Sequence, residues 1–378
     1  MYGQDVLTVQ TKRCGLCGKR GVEISETLQV CPDCIRENWD EAISRILTTH
    51  KKTRMGYGLP AQPPKTSGGI PCKLCANECI MGQGERGYCG LRENDQGRLK
   101  AVVDPSKALL HSYLDPHITN CCAAWFCPPA TGVGYPDYAY SSECERGYYN
   151  YAVFFYGCNF NCLFCQNSSH KNLSEGKLTL VEEFVADVKA KPKCSCICYF
   201  GGSPEPHLPF AINASRTLLE ESPDRILRIC FEWNGCGNSE LVRKAAELSY
   251  LSGGNIKFDL KCFNTNLSVA LSGVPNNVAF RNFELIANEF YDRRPEPPVL
   301  TATTLLVPGY VDDIEVDLIA RFISNLNPEI PYSLLLFHPD FYMSDMPFTS
   351  RRQLEDCLRA ANRHLRNVHV GNIGLLGM

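Results

Sequence analysis

Three cysteines lie within the dozen residues "YGCNFNCLFCQN", Tyr156 to Asn167, directly after the apolar, strand-like run "NYAVFFYG". Cys158, Cys162 and Cys165 give the spacing C-x3-C-x2-C. Three thiolates so spaced can hold a cubic iron–sulfur cluster by three of its irons, leaving the fourth open to chelate a small molecule. The plainer alternative, a zinc knuckle short of one ligand, does not account for the position immediately after a strand.

Other cysteines fall into further groups. Cys14, Cys17, Cys31 and Cys34 form CxxC-x13-CxxC, the spacing of a closed four-thiolate site, for which zinc is favoured over a single iron. Cys72, Cys75, Cys79 and Cys89 form CxxC-x3-C-x9-C and suit zinc or an auxiliary cluster. Cys121, Cys122, Cys127 and Cys144 make a looser third set, in which adjacent Cys121 and Cys122 do not easily serve one tetrahedral ion. Cys194, Cys196 and Cys198 in "KCSCICYF" are expected to alternate in direction along a strand, so that they cannot all reach one ion, and to be small buried residues like Cys230, Cys262 and Cys357. The eight histidines show no i, i+4 ligand pair.

The chain has 378 residues, enough to bury a large core, so its 22 cysteines are not needed as staples. The opening "MYGQDVLTVQTKRC" has no apolar signal-peptide core, and no apolar run approaches a membrane span. A cytoplasmic, reducing setting is therefore expected, in which grouped cysteines hold metals. The net charge of −3 gives no reason to expect nucleic acid as a partner, and none to expect a membrane.

Turn chemistry and cysteine spacing predict four parts. Residues 1–55 form a small separate zinc-ribbon- or rubredoxin-like module, 56–71 a Pro/Gly linker, and 72–149 an irregular cysteine-rich collar. The collar's "TGVGYPDYAYSSECERGYYNYA" either walls the mouth of a site or packs as a surface loop. From about residue 150 strands alternate with helices: "YAVFFYG", "CICYFGG", "ILRICFEWNG", "NIKFDLKC", "VLTATTLLVPG", "YSLLLFHP" and "NVHVGNIGLL" read as strands. Between them "TLVEEFVADVKAK", "NSELVRKAAELSYLSGG" (Asn238 as N-cap, Gly253 near its end), "DDIEVDLIARFISNL" and "TSRRQLEDCLRAANRHL" read as helices. Such alternation predicts an α/β fold, an incomplete (β/α) barrel of six or seven units over 150–378, with chemistry at the C-terminal strand ends.

With Phe164 before its last cysteine, the opening stretch resembles the signature of the radical S-adenosylmethionine (SAM) superfamily. "YFGGSPEPH" resembles the family's glycine-rich element, with Gly201 and Gly202 matching its glycines; Ser203 stands where an acidic residue is usual, and Glu205 follows two positions later. "FEWNG" (Glu232, Asn234), "DLK" (Asp259, Lys261) and "LLVPGY" resemble strand ends of the pyruvate formate-lyase activating enzyme group. "CKLCANECIMGQGERGYCGLREN" resembles the segment before the barrel in archaeal and bacterial relatives of that group. The likeness runs over roughly residues 70–378.

This resemblance implies a 4Fe-4S cluster on Cys158, Cys162 and Cys165, SAM at its open iron, and a 5′-deoxyadenosyl radical that takes hydrogen from an unactivated carbon. It also implies an anaerobic setting and an electron donor such as ferredoxin or flavodoxin. Members of similar look include cobalamin-dependent enzymes, among them a glutamine Cα-methyltransferase of methyl-coenzyme M reductase. C-methylation of a protein or peptide is the favoured expectation, although the cobalamin signature D-x-H-x-x-G is missing. Activation of a glycyl-radical enzyme is the alternative, and a non-enzymatic electron-transfer protein a third.

Overall fold

The structure is a computed structural model that describes residues 10–377. Its frame is a nine-stranded sheet. The strands are β1 (Lys107–Pro116), β2 (Tyr149–Phe155), β3 (Lys177–Leu180), β4 (Cys194–Phe200), β5 (Arg228–Trp233), β6 (Ile256–Asp259), β7 (Leu300–Leu306), β8 (Tyr332–Leu336) and β9 (Val368–Gly371). Their spatial order is β9-β8-β7-β6-β5-β4-β2-β1-β3. From β2 to β9 every pairing is parallel, whereas β1 runs antiparallel to both β2 and β3. The collar is therefore not wholly irregular. Its ten-residue "KALLHSYLDP" extends the sheet, because Leu109 and Leu110 find buried places there.

Helix α3 (Val181–Lys189) follows the antiparallel edge strand β3, and α4 (Leu208–Glu221), α5 (Ser239–Ser252), α8 (Asp313–Leu326) and α9 (Arg351–Asn362) follow parallel strands, with the short α6 (Thr265–Ser272) and α7 (Asn277–Ile286) between β6 and β7. Their starts are capped as the side chains dictate: Asn238 accepts from the N–H groups of Glu240 and Leu241, Asp312 from Glu315 and Ser350 from Gln353. Strand alternation sets which residues meet the helices. Ile197, Tyr199, Ile229, Phe231 and Phe258 belong to the main core, Tyr199 bonding Ser215 of α4 at 2.9 Å and Phe258 meeting the Phe283 ring of α7 edge-on. The opposite residues, Cys196, Cys198, Phe200, Arg228, Cys230, Glu232, Lys257 and Asp259, face the inner side of the sheet.

The cysteines of "KCSCICYF" are buried as expected, but the expectation that they point in alternate directions is corrected. Positions two apart share a face, so Cys196 and Cys198 point the same way, into the interior space rather than into a packed core. Only Cys194 leaves that row, because the register shifts between it and Cys196.

The N-terminal part contains α1 (Pro32–Glu37) and α2 (Trp39–Met55). It is not a separate module. Ile24, Leu28, Val30, Ile35, Ala42 and Ile46 share one buried cluster with Leu163, Phe164, Leu271, Val307 and Tyr310 of the sheet's upper end. The Tyr310 hydroxyl donates to Val30 O and accepts from Ser25 N, and Arg36 pairs with Asp312 at 3.0 Å. Among the described residues no helix is long and apolar enough to cross a membrane.

Candidate active site at the cysteine loop

Strand β2 ends at Phe155, and the chain turns into the loop that carries Cys158, Cys162 and Cys165. These residues, with Phe164, line a cavity of about 240 Å³ at the C-terminal strand ends, together with Gly201, Gly202 and Ser203 after β4, Glu232 and Asn234 at β5, and Asp259 and Lys261 at β6. The resemblance-derived residues thus meet in one place, with one exception. Glu205 is fully buried outside the lining, where it accepts from the Ser203 hydroxyl and, at 2.7 Å, from Gly235 N. Its role is to fix two loops: Ser203 Oγ accepts from Asn234 Nδ2 at 2.8 Å, and Asn234 donates also to Asn159 Oδ1 in the cysteine loop at 2.7 Å. Burial raises the Glu205 carboxyl to about 7.

The two glycines are sterically required. Both have positive φ; a Cβ on Gly201 would stand 2.3 Å from the Phe154 ring, and one on Gly202 2.1 Å from the Phe155 carbonyl oxygen. The turn therefore brings bare backbone to the cavity wall. On the far side Lys261 pairs with Asp259 and lies 5.7 Å from the centre of the Phe164 ring. Burial would lower the Lys261 pKa, but Asp259 and the thiols of Cys162 and Cys165 raise it on balance.

Beneath the loop lie residues that no sequence spacing announced. Arg54 of α2 and Lys171, 1% and 2% exposed, form no ion pair with any carboxylate among the described residues. Arg54 bonds the carbonyls of Pro60 and Tyr88 and lies over the Tyr88 ring at 3.4 Å. Lys171 donates to Asn161 Oδ1 at 2.7 Å, and Asn161 is held in turn by His50 and Thr53 of α2. Burial lowers both cations' pKa, while the Cys158 thiol acts to raise them, joined at Lys171 by Cys162 and Cys165. Two unpaired buried cations are costly unless an anion shares their site.

That observation tests whether the cysteine loop suits a cluster. A three-thiolate iron–sulfur cluster carries net negative charge, and the two cations stand where they would balance it. The thiols of Cys158, Cys162 and Cys165 are also not gathered as ligands of one ion would be, whereas Cys14, Cys17, Cys31 and Cys34 are, with all four sulfurs within 4.8 Å of one another. A cluster spreads its thiolates over separate irons. Both donor sets fit: a cluster at the loop, a single tetrahedral ion at the N-terminal four. In that N-terminal set burial opposes ionisation of Cys14, but the N–H groups of Cys31, Cys17 and Leu16 bring it down to about 6.

Of the remaining cysteines, Cys72, Cys75, Cys79 and Cys89 do not lie together as the ligands of a single ion would, so of the two readings of their spacing a single zinc loses support and an auxiliary cluster does not. Their segment also backs the site: Ala76 N donates to Cys236 O, and Asn77 Nδ2 donates to Asn159 O at 2.7 Å. Cys144 does not join Cys121 and Cys122; Glu232 does, its carboxylate and their two thiols lying within 4.8 Å. Adjacency in sequence therefore does not keep Cys121 and Cys122 apart. The tyrosine-rich collar loop packs at the N-terminal strand ends, away from the cysteine loop, with Tyr140 stacked on Tyr148 and its hydroxyl accepting from Ile226 N.

Residues 152–323 match the family model described as the Radical SAM superfamily. The chain thus carries a radical SAM domain over these residues. Among curated proteins it is 25% identical over 324 residues to the uncharacterized protein MJ0808 of Methanocaldococcus jannaschii, covering 80% of this chain and 81% of that one. It is 35% identical over 140 residues to the isethionate sulfite-lyase activating enzyme of Desulfovibrio desulfuricans, covering 36% of this chain and 40% of the relative. The pyruvate formate-lyase-activating enzyme of Staphylococcus aureus is 28% identical over 198 residues, 50% of this chain and 74% of the relative. Similar solved structures include a domain of the pyruvate-formate lyase-activating enzyme of Bacteroides vulgatus (TM-score 0.37, 18% identity, 46% of this chain and 98% of that). Streptococcus suis SuiB bound to precursor peptide SuiA has a TM-score of 0.43 and 12% identity, covering 58% of this chain and 47% of that.

Proposed function

We propose that the protein cleaves SAM reductively and abstracts hydrogen from a carbon of a protein or peptide substrate. The observation that carries this is the convergence of the cysteine loop, the Gly201–Gly202 turn and the strand ends of β5 and β6 on one cavity, above two buried cations. Cys158, Cys162 and Cys165 would hold a 4Fe-4S cluster, which when bound supplies one electron to SAM. The chain's part is positional. The Gly201–Gly202 backbone and Ser203 would face the amino-acid end of SAM, Glu232, Asn234, Asp259 and Lys261 would orient its remaining polar groups, and Phe164 packs against the loop to exclude water. The N-terminal four cysteines would hold zinc in a structural role, and ferredoxin or flavodoxin would be the donor.

For the fate of the substrate radical, the named relatives favour a radical left on a partner protein, since two of them are activating enzymes. C-methylation with cobalamin, the reading favoured by likeness to archaeal enzymes that act on methyl-coenzyme M reductase, draws no support from those names. It is kept as the second arm of the test.

The test is anaerobic turnover of the reconstituted protein with SAM and a strong reductant, with and without methylcobalamin. The expected product is 5′-deoxyadenosine, unaffected by cobalamin. S-Adenosylhomocysteine formed together with it would establish methylation instead; neither product from a protein with intact cluster would refute SAM cleavage.

A further inference from the structure

The inner side of the sheet holds a second cavity, of about 400 Å³, which shares Asn167, Phe200 and Glu232 with the wall of the first. Such interior positions are ordinarily filled by bulky branched side chains. Here Cys196 and Cys198 of β4 and Cys230 of β5 line the space instead, and the collar closes it with Cys121 and Cys127. Closure is firm: Trp125 Nε1 donates to Ser333 Oγ of β8 at 3.1 Å, and Ser333 Oγ donates to Cys122 O at 3.1 Å.

Two cations serve these thiols. Lys257 of β6, 3% exposed at its side chain, lies 3.0 Å from Cys121 Sγ, 3.5 Å from Cys198 Sγ and 3.2 Å from the Glu232 carboxylate. Arg228 of β5 donates through Nε to Cys196 Sγ at 3.0 Å, while its other end forms a buried pair with Glu145 at 2.6 Å. Cysteines used merely as small packing residues would leave no void beside them and would need no ammonium group. A void walled by thiols, with cations hydrogen-bonded to sulfur, is the environment that stabilises a thiolate-held anionic centre.

We propose that this cavity binds a second iron–sulfur cluster, held by Cys121 and Cys127 of the collar with Cys198 and Cys230 of the strands, and hydrogen-bonded by Lys257. Cys121 lies close to Cys122 and Glu232, but Cys127, Cys198 and Cys230 line the same space without joining that group within single-ion distance, which favours a cluster over a single ion. The cluster would stand beside the SAM cavity and share Glu232 with its wall.

The test uses the full chain carrying C158A/C162A/C165A, so that the cysteine loop can hold nothing and failure of the SAM-cleavage reading does not affect the result. After anaerobic reconstitution with iron and sulfide, the chain is expected to retain about two or more acid-labile sulfides with sulfide-to-iron charge-transfer absorption. Adding C198S/C230S should abolish both. Helical circular dichroism and the metal content of the Cys14–Cys34 site check that this variant folds, and K257M supplies a second probe that keeps all four thiols, expected to alter the charge-transfer bands. Absence of sulfide from the triple variant, zinc without sulfide, or sulfide unaffected by C198S/C230S but lost with C75S/C89S would each overturn the proposal.

Discussion

At the scale of single residues, the cavity wall depends on positions where an atom more or less decides the outcome. The Gly202 turn leaves no room for a methyl group, because the Phe155 carbonyl occupies the place a Cβ would take. Gly202→Ala should keep full iron and sulfide content but weaken SAM binding at least tenfold, roughly 1.4 kcal/mol, measured by equilibrium dialysis of the reconstituted protein. Unchanged affinity would remove the turn from the SAM site. Glu205 makes a different prediction. Its carboxyl is raised by burial from the ordinary 4.5 to about 7, so folding favours the protonated form. The stability it lends is full below about pH 4.5 and is lost as pH rises towards 7. Glu205→Gln should flatten that fall in denaturant midpoint between pH 5 and 7, relative to the parent chain. The Cys158–Cys165 loop and the "GGS" turn were legible because metal chemistry and steric limits fix both residue type and spacing. Arg54 and Lys171 were not, since a charge buried by a distant segment leaves no local pattern.

At the scale of elements, all seven strand-like runs read from the sequence lie in the parallel strands β2 and β4 to β9, since buried parallel strands need continuous apolar stretches. Helix starts were equally legible where a side chain must satisfy free N–H groups. Asn238→Ala should therefore cost about 1 kcal/mol, seen as a lower urea midpoint with unchanged iron content; an unaltered midpoint would show that α5 is held by packing alone. Strand β1 was missed, because "KALLHSYLDP" alternates weakly and gains its place only by pairing on both sides. The cysteines of β4 were misjudged for another reason. Their period of two was visible in "CSCICYF", but the face it defines takes on meaning only when Cys230 and Lys257 of neighbouring strands arrive on the same side.

At the scale of the whole molecule, three segments distant in sequence meet under the cysteine loop. Arg54 comes from α2 of the N-terminal part, Tyr88 from the collar and Lys171 from beyond the loop itself. The Cys14–Cys34 site ties the loop of Cys14 and Cys17 to the start of α1, and the part docks on the sheet through Tyr310 and Asp312. A metal there would thus act at a distance, by holding α2 so that Arg54 stays buried beside Cys158. The cation's effect on a bound cluster follows from its sign: removing positive charge near an anionic centre makes its reduction harder. Arg54→Met should lower the cluster's midpoint potential by on the order of 100 mV, the size given by one charge several Å away at an effective dielectric near 20, whereas Arg54→Lys should keep most of it. A redox titration followed by electron paramagnetic resonance measures both. Cys17→Ser, which breaks the N-terminal site without touching the sheet, should shift the potential in the same direction as Arg54→Met. A shift for Arg54→Met but none for Cys17→Ser would mean that apolar docking alone positions α2.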